Sequence, residues 1–195
     1  MTPEILDVTL ENLLDAPSEF LDAVYWELAD DAPVDARFLK EEWFSSTLLE
    51  WGPCGKLARE DGRVVGFAQY APPSLFPRLG AFRCGRVSAD ALYLAYCYLV
   101  RDRRGRGIGT DLVRTVARDL VDRGFRAIEA IGNREATSDW ILPAGFLSAN
   151  RFAVVREDRR FPLMRLDLTA VPGPVMAEAA TAAIPAPGGL GRSEG

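Results

Sequence analysis

The stretch that decides the fold prediction is residues 91–122, ALYLAYCYLVRDRRGRGIGTDLVRTVARDLVD. Residues 91–100 are almost continuously apolar or aromatic, which predicts a central β-strand. Residues 108–120 carry apolar side chains at spacings of three and four, which predicts an amphipathic helix. Between them lies RRGRGIG, residues 103–109. A strand that enters a helix through such a glycine-rich turn is typical of a phosphate-binding site.

The physical basis of this prediction is the geometry of the turn. Glycines allow the backbone to approach a ligand closely and to adopt torsions that a side chain forbids. The N–H groups of the first helical turn have no partner within the helix, and the helix dipole favours an anion there. The unit therefore predicts a ligand that carries several phosphates.

Two familiar phosphate loops do not fit this stretch. The nucleotide-triphosphate loop requires a lysine after its last glycine, and the lysines of this chain are Lys40 and Lys56. The dinucleotide fingerprint G-x-G-x-x-G would use Gly105 and Gly107, but its third glycine is replaced by Thr110. No acidic residue follows at the end of a clear second strand at the required distance.

A third pattern, Arg/Gln-x-x-Gly-x-Gly/Ala, is filled by Arg104, Gly107 and Gly109. It resembles the GNAT superfamily of acetyl-CoA-dependent N-acetyltransferases, with element order matching from about residue 5 to residue 168. The resemblance implies an α/β fold with a twisted mixed sheet of about six to seven strands and helices on both faces. It also implies acetyl-CoA as co-substrate and direct acetyl transfer, in a ternary complex, to a primary amine of a small molecule or a protein.

The resemblance also assigns the cofactor-binding residues. The backbone of the strand before the loop would line the pantetheine arm, and the loop amides would hold the pyrophosphate. The arginines at positions 101, 103 and 106 are candidates for the 3′-phosphate, because arginine binds phosphate in a bidentate manner. The residues expected to bind the cofactor are Cys97, Tyr98, Leu99, Val100, Arg104, Gly105, Arg106, Gly107, Ile108, Gly109 and Thr110.

The usual general acid of the family is missing. The family motif F-Y-x-x-x-G-F corresponds to FLSANRF, residues 146–152. Leu147 stands at the tyrosine that protonates the leaving thiolate, Arg151 at the glycine, and Trp140 at the asparagine seven residues before the tyrosine. The thiolate would then leave without an acid, take a proton from water, or use a different group.

Two residues are candidates for catalysis, and each has a structural alternative. Tyr98 would act from the central strand, or it is a core aromatic with a polar handle. Glu129 would act as a base whose pKa burial raises, or it pairs with an arginine at a sheet edge. Asn133 would bind substrate or shape a turn. Cys97 is interpreted as a small core residue, because the chain has no histidine to activate it.

Composition narrows the class of protein further. The chain has 195 residues, a net charge of −5, no histidine and three cysteines without a C-x-x-C pair. These counts exclude a histidine triad and argue against a metal site, a disulfide framework and nucleic acid as the main partner. No apolar run is long enough to cross a membrane. We expect a cytoplasmic enzyme, and a homodimer is a candidate assembly.

Two other functions remain open at this stage. A non-catalytic acyl-CoA-binding or regulatory module would have kept the loop and lost the acid. An RNA-binding protein would use the arginine cluster around the loop.

The domain organisation is predicted to be simple. Residues 1–169 form one acetyltransferase-like domain, and residues 170–195 form a flexible tail rich in Ala, Pro and Gly. Within the domain, helices are expected over residues 13–28 (with a break at Pro17), 35–51, 108–122 and 141–150.

Overall fold

The structure is a computed structural model, and it describes residues 3–31, 34–135 and 140–168. Its main elements are eight strands and four α-helices within those ranges: β1 Glu4–Asp7, α1 Ser18–Leu21, α2 Ala36–Glu50, β2 Gly55–Glu60, β3 Arg63–Ala71, β4 Ala91–Leu99, α3 Ile108–Asp122, β5 Ala127–Asn133, β6 Leu142–Pro143, α4 Ala144–Ala149, β7 Ala153–Arg156 and β8 Leu163–Asp167. The predicted tail lies outside the described residues.

The strands form one sheet in the order β1-β2-β3-β4-β5-β8-β7, and β6 pairs with β5 off this path. Most neighbours are antiparallel, whereas β4–β5 and β5–β6 are parallel. Asp61 and Gly62 form the tight turn between β2 and β3, with φ of 49° and 77°. The mixed sheet of the expected size confirms the predicted fold class, and the two-residue β6 is the strand that the sequence did not predict.

Helices cover both faces of the sheet, as predicted. On one face, α1 and α2 pack with the aromatic side chains of β3 and β4. On the other face lies α3, whose buried stripe matches the predicted periodicity: Ile108, Leu112, Val113, Val116, Ala117 and Leu120. Each fully buried Val, Leu or Ile side chain of the stripe contributes about 1.5–3 kcal/mol, so the stripe anchors the loop that precedes the helix.

The prediction of a helix over residues 13–28 was largely wrong. The structure has a single 3-10 turn at Leu13–Asp15 and the four-residue α1, followed by turns. Burial decides this path, because Trp26 and the side chain of Glu27 enter the core and are fully enclosed there. Tertiary contacts therefore override the local helical pattern.

The last predicted helix, over residues 141–150, is shorter than expected. Leu142 and Pro143 pair with the end of β5, and α4 begins immediately after the proline. Proline has no N–H group and fits before or at the first helical position, which sets this boundary.

None of the helices in the described ranges has the length and apolar character needed to traverse a bilayer. The same ranges contain no group of three or more His, Cys, Asp or Glu side chains that could hold a metal ion.

Candidate active site

The centre of the sheet opens where β4 leaves β5. The two strands are paired from Ala91↔Ala127 to Tyr93↔Glu129, and β4 then continues along β3 as far as Leu99. Further along, β5 pairs with β6 instead. The second half of β4 therefore has a partner on one side and an open edge on the other.

A β-bulge marks the point of this divergence. Gln69 of β3 is opposite Tyr96, and the next pair is Tyr70 with Leu94, so Ala95 is an extra residue on β4. A bulge bends its strand and increases the local twist. The bend turns β4 away from β5 just after their last paired residues.

The opening leads into a cavity of about 390 Å³. This volume is within the range of small-molecule and cofactor sites. Its wall combines the end of β4, the glycine-rich loop with the first turn of α3, and the β6–α4 segment: Cys97, Tyr98, Leu99, Arg104, Gly105, Gly107, Gly109, Thr110, Ile141, Leu142, Pro143 and Phe146.

Eight of the eleven predicted cofactor residues line this cavity, and the other three are adjacent to it in the chain. Ile108, the first residue of α3, is buried in the core. Arg106 is exposed on the loop, and Val100 follows the end of β4. The β6–α4 wall was not predicted, because only the fold brings it opposite β4.

The loop presents free backbone donors to the cavity. Gly105 and Gly107 have φ of 76° and 85°, a left-handed conformation that glycine adopts without steric cost. The first backbone hydrogen bond of α3 runs from the Asp111 N–H to the Gly107 carbonyl, 3.0 Å away. In the described part of the chain, the N–H groups of residues 105–110 donate to no protein acceptor. This arrangement suits a phosphate group at the helix N-terminus.

The open edge of β4 also offers backbone groups. The Val100 N–H donates to the Val65 carbonyl of β3, so that residue faces β3. Because residues alternate along a strand, Leu99 and Cys97 direct their N–H and C=O groups towards the open edge. The Leu99 carbonyl accepts a hydrogen bond from the Arg104 Nε at 3.0 Å, which agrees with this orientation.

The arginines near the loop differ in whether an acidic side chain already pairs with them. Arg103 pairs with Glu60 at 2.9 Å and with Asp102 at 2.8 Å. Arg101 and Arg106 are exposed and pair with no acidic side chain among the residues that the structure describes. These two therefore remain the candidates for an additional phosphate.

Tyr98 lies half-buried on the cavity wall. Its ring stacks on Phe67 with centroids 5.5 Å apart, packs near Trp140, and has the Arg104 guanidinium 5.4 Å from its centroid. No residue within the described ranges forms a hydrogen bond with its hydroxyl. The ring is therefore packed against three neighbours, while the hydroxyl keeps its hydrogen-bonding capacity.

Glu129 is placed away from the cavity wall and is fully buried. One oxygen accepts from the Ser88 N–H at 2.9 Å, and the other pairs with Arg165 at 3.1 Å. Arg165 lies on β8, next to β5 and inside the sheet rather than at its edge. It also binds Asp90 and Asp167. The geometry thus corresponds to the arginine-pairing alternative.

The residues that replace the F-Y-x-x-x-G-F motif, around Leu147 and Arg151, do not supply a general acid. Leu147 is completely buried against the α3 side of the sheet. Arg151 has a φ of 68°, so the position where the family has glycine keeps a left-handed backbone. Burial raises the pKa of the Cys97 thiol to about 12, which keeps it protonated at neutral pH.

Asn133 ends β5 with its side chain buried. Its Oδ1 accepts from the Glu135 N–H at 3.0 Å, which is the turn-shaping role. Its Nδ2 has no hydrogen-bond partner among the described residues. A buried donor of this kind is uncommon in a folded protein and retains the capacity to bind an oxygen atom.

The model of the Acetyltransferase (GNAT) family matches residues 15–139, more than half of the chain. No curated protein sequence matches the chain.

Several solved structures share the fold at low sequence identity. An N-acetyltransferase from Staphylococcus aureus Mu50 is 17% identical with a TM-score of 0.60, covering 86% of this chain and 99% of that one. The Salmonella typhimurium protein yncA, solved with its cofactor acetyl-CoA, is 16% identical with a TM-score of 0.60 and coverages of 91% and 100%. The paia N-acetyltransferase of Thermoplasma acidophilum, in complex with coenzyme A, is 15% identical with a TM-score of 0.53 and coverages of 86% and 99%.

Proposed function

Because the chain belongs to the GNAT family of acetyltransferases, we propose that it transfers the acetyl group of acetyl-CoA to a primary amine of a small molecule or a protein. The transfer is direct and takes place in a ternary complex. The observation that carries the proposal is the cavity at the opening of the sheet, which is lined by loop residues whose N–H groups have no protein acceptor in the described part of the chain. The cytoplasm is the proposed compartment.

The described residues fit the coenzyme in three places. The amides of residues 105–110 would donate to the pyrophosphate, helped by the N-terminus of the fifteen-residue α3. Arg106 and Arg101 would bind the 3′-phosphate. The backbone groups of Cys97 and Leu99 would pair with the amides of the pantetheine arm.

Acetyl-CoA supplies an activated thioester, so the reaction is an acyl transfer. The amine nitrogen forms the new C–N bond, the C–S bond breaks, and the proton lost by the amine is balanced by the one that the leaving sulfur gains. The products are an acetamide and the free thiol.

Tyr98 is the residue that we assign to proton transfer at the sulfur. Tyr98 lines the cavity, its hydroxyl has no hydrogen-bond partner among the described residues, and the stacked Phe67 restricts the position of its ring. A positioned hydroxyl of this kind acts as a general acid. Glu129 is assigned a structural role instead, because Ser88 and Arg165 occupy both of its oxygens.

The first experiment tests binding of the coenzyme by thermal unfolding. A ligand that binds only the folded state at 100 times its Kd stabilises the protein by about 2.7 kcal/mol. We expect acetyl-CoA and CoA to raise the Tm of the wild type, and adenosine to have no effect at the same concentration. An unchanged Tm with millimolar acetyl-CoA would contradict the proposal.

The second experiment tests catalysis by release of free thiol from acetyl-CoA with a panel of amines. We expect release that depends on both the enzyme and a particular amine.

One observation favours a different function, namely a non-catalytic acyl-CoA-binding module: the buried Leu147 cannot donate a proton. That module would show the Tm shift and no thiol release with any amine.

A further inference from the structure

Four polar side chains meet inside the core on the α1–α2 face of the sheet. Lys40 of α2 bonds to Glu27 and, at 3.1 Å, to Gln69 of β3. Glu27 also accepts from the Gln69 Nε2 and from the Tyr96 hydroxyl, each at 2.9 Å. We call these four residues, Glu27, Lys40, Gln69 and Tyr96, the buried polar cluster.

The cluster is sealed from solvent and fully hydrogen-bonded. The Lys40 and Glu27 side chains have no exposed surface. The Lys40 ammonium also lies over the rings of Phe20 and Tyr96, 4.9 and 4.6 Å from their centroids. The Tyr96 hydroxyl in turn accepts from the Trp26 N–H at 3.1 Å.

Fold stability alone does not explain such a cluster. Desolvation of two charges costs more than their attraction usually returns, and well-packed apolar side chains of the same volume are often as stable. Burial also lowers the pKa of Lys40 against the opposing effect of Glu27. A buried polar network does, however, hold its members in one arrangement, because each lost hydrogen bond is costly in a low-dielectric interior.

The cluster is located at the bulge of β4. Gln69 and Tyr96 are the cross-strand pair next to the extra residue Ala95. Before the bulge β4 is paired with β5, and after it Cys97, Tyr98 and Leu99 line the cavity. Two of the four cluster residues thus define the bend, and the other two tie it to α2 and to the segment that follows α1.

We infer that the buried polar cluster positions the cofactor site: it fixes the β4 bulge and thereby holds the open edge at residues 97–99 in the place that the pantetheine arm requires. The inference rests on the proposed function. Tyr96 is a positioning residue, since its hydroxyl is bonded to Glu27 and to Trp26 on the side of the core.

The test compares Tyr96→Phe with Tyr70→Phe. Tyr70 is the control: it is also fully buried and flanks the same bulge from β3, but its hydroxyl bonds the Asp119 carboxylate at 2.8 Å on the opposite face of the sheet, outside the cluster. Each variant loses one tyrosine–carboxylate hydrogen bond, and Tyr96→Phe also removes the acceptor of the Trp26 N–H. The measurements are the Tm and the dissociation constants of CoA and acetyl-CoA by titration calorimetry.

We expect both variants to lower the Tm. Only Tyr96→Phe should weaken coenzyme binding, with dissociation constants that rise about fivefold to tenfold for CoA and acetyl-CoA alike. A lower Tm with unchanged dissociation constants would show a purely structural role and overturn the inference. Weaker binding of acetyl-CoA alone would also overturn the inference, because it would indicate that Tyr96 contacts the acetyl group directly. Failure of the wild type to bind CoA would instead contradict the proposed function.

A second variant keeps the test decisive if Tyr96→Phe does not fold. The double variant Glu27→Gln/Lys40→Met removes both charges but leaves an amide oxygen that can accept from the Tyr96 hydroxyl. We expect it to bind CoA within about twofold of the wild type, and Glu27→Leu/Lys40→Met, which lacks that acceptor, to bind several-fold more weakly. Equal affinities in these two double variants would refute the positioning role.

Discussion

Tyr98 is the residue whose chemistry most needs testing. Tyr98→Phe removes only the hydroxyl, and the stacking on Phe67 remains. Because general acid catalysis contributes at least about 100-fold, we expect kcat to fall by about that factor while the dissociation constant of acetyl-CoA stays within about twofold. The measurement is steady-state thiol release with the best amine of the panel.

The matched control is Tyr93→Phe, on the same strand, fully buried and outside the cavity wall. It should affect stability more than kcat. Equal losses of kcat in the two variants would argue against Tyr98 as the acid.

Cys97 lies on the cavity wall, but its thiol is not expected to take part in the reaction. Burial raises its pKa to about 12, so the folded protein keeps the thiol protonated at neutral pH. We therefore expect no acetylated enzyme by intact mass after incubation with acetyl-CoA alone, at any pH from 6 to 9.

Cys97→Ala should retain kcat within about threefold of Cys54→Ala, a buried cysteine away from the cavity whose pKa is likewise about 12. Loss of activity in the Cys97 variant only would indicate a covalent intermediate.

At the scale of elements, the loop before α3 depends on a left-handed glycine. Gly107 has a φ of 85°, and a Cβ there would meet no atom within 4 Å, so a side chain adds backbone strain and no clash. For Gly107→Ala we expect a loss of about 1 kcal/mol of unfolding free energy, together with about tenfold weaker binding of CoA because the loop amides turn away. Urea unfolding and calorimetry measure the two effects.

Gly124 provides the control at the other end of α3. Its φ is 81° and its surroundings are equally open. Gly124→Ala should lower the unfolding free energy by the same amount and leave the affinity for CoA unchanged. Weaker CoA binding in both variants would mean that backbone strain acts through the whole helix rather than through the loop.

Much of this element-level organisation was predictable. The period of three and four in α3, the glycine turn before it and the apolar run of β4 are local patterns, and the structure has them close to the predicted bounds. Residues 13–28 were not predictable in the same way, because their path is set by Trp26 and Glu27 entering a core built from distant residues.

At the scale of the whole molecule, Glu129 joins separate parts of the fold. It connects β5 to β8 through Arg165 and to the loop before β4 through the Ser88 N–H. A charge-assisted hydrogen bond inside a protein contributes about 1.5–3 kcal/mol, so Glu129→Gln should lower the unfolding free energy by about that amount. We expect kcat to change by less than about threefold at a temperature where the variant is folded.

Denaturant unfolding together with thiol release measures this pair of effects. A loss of kcat by more than about 100-fold with unchanged stability would instead make Glu129 the general base.

The sequence by itself determined the strand–loop–helix unit and, through it, the family and the expected class of ligand. Periodicity and glycine torsions act over a few residues, so they are encoded locally. Only the tertiary structure decided where β4 parts from β5, what pairs with Glu129, and that Glu27, Lys40, Gln69 and Tyr96 meet at the bulge. Those features depend on strand register and on burial shared by residues up to 69 positions apart, for which a local pattern carries no signal.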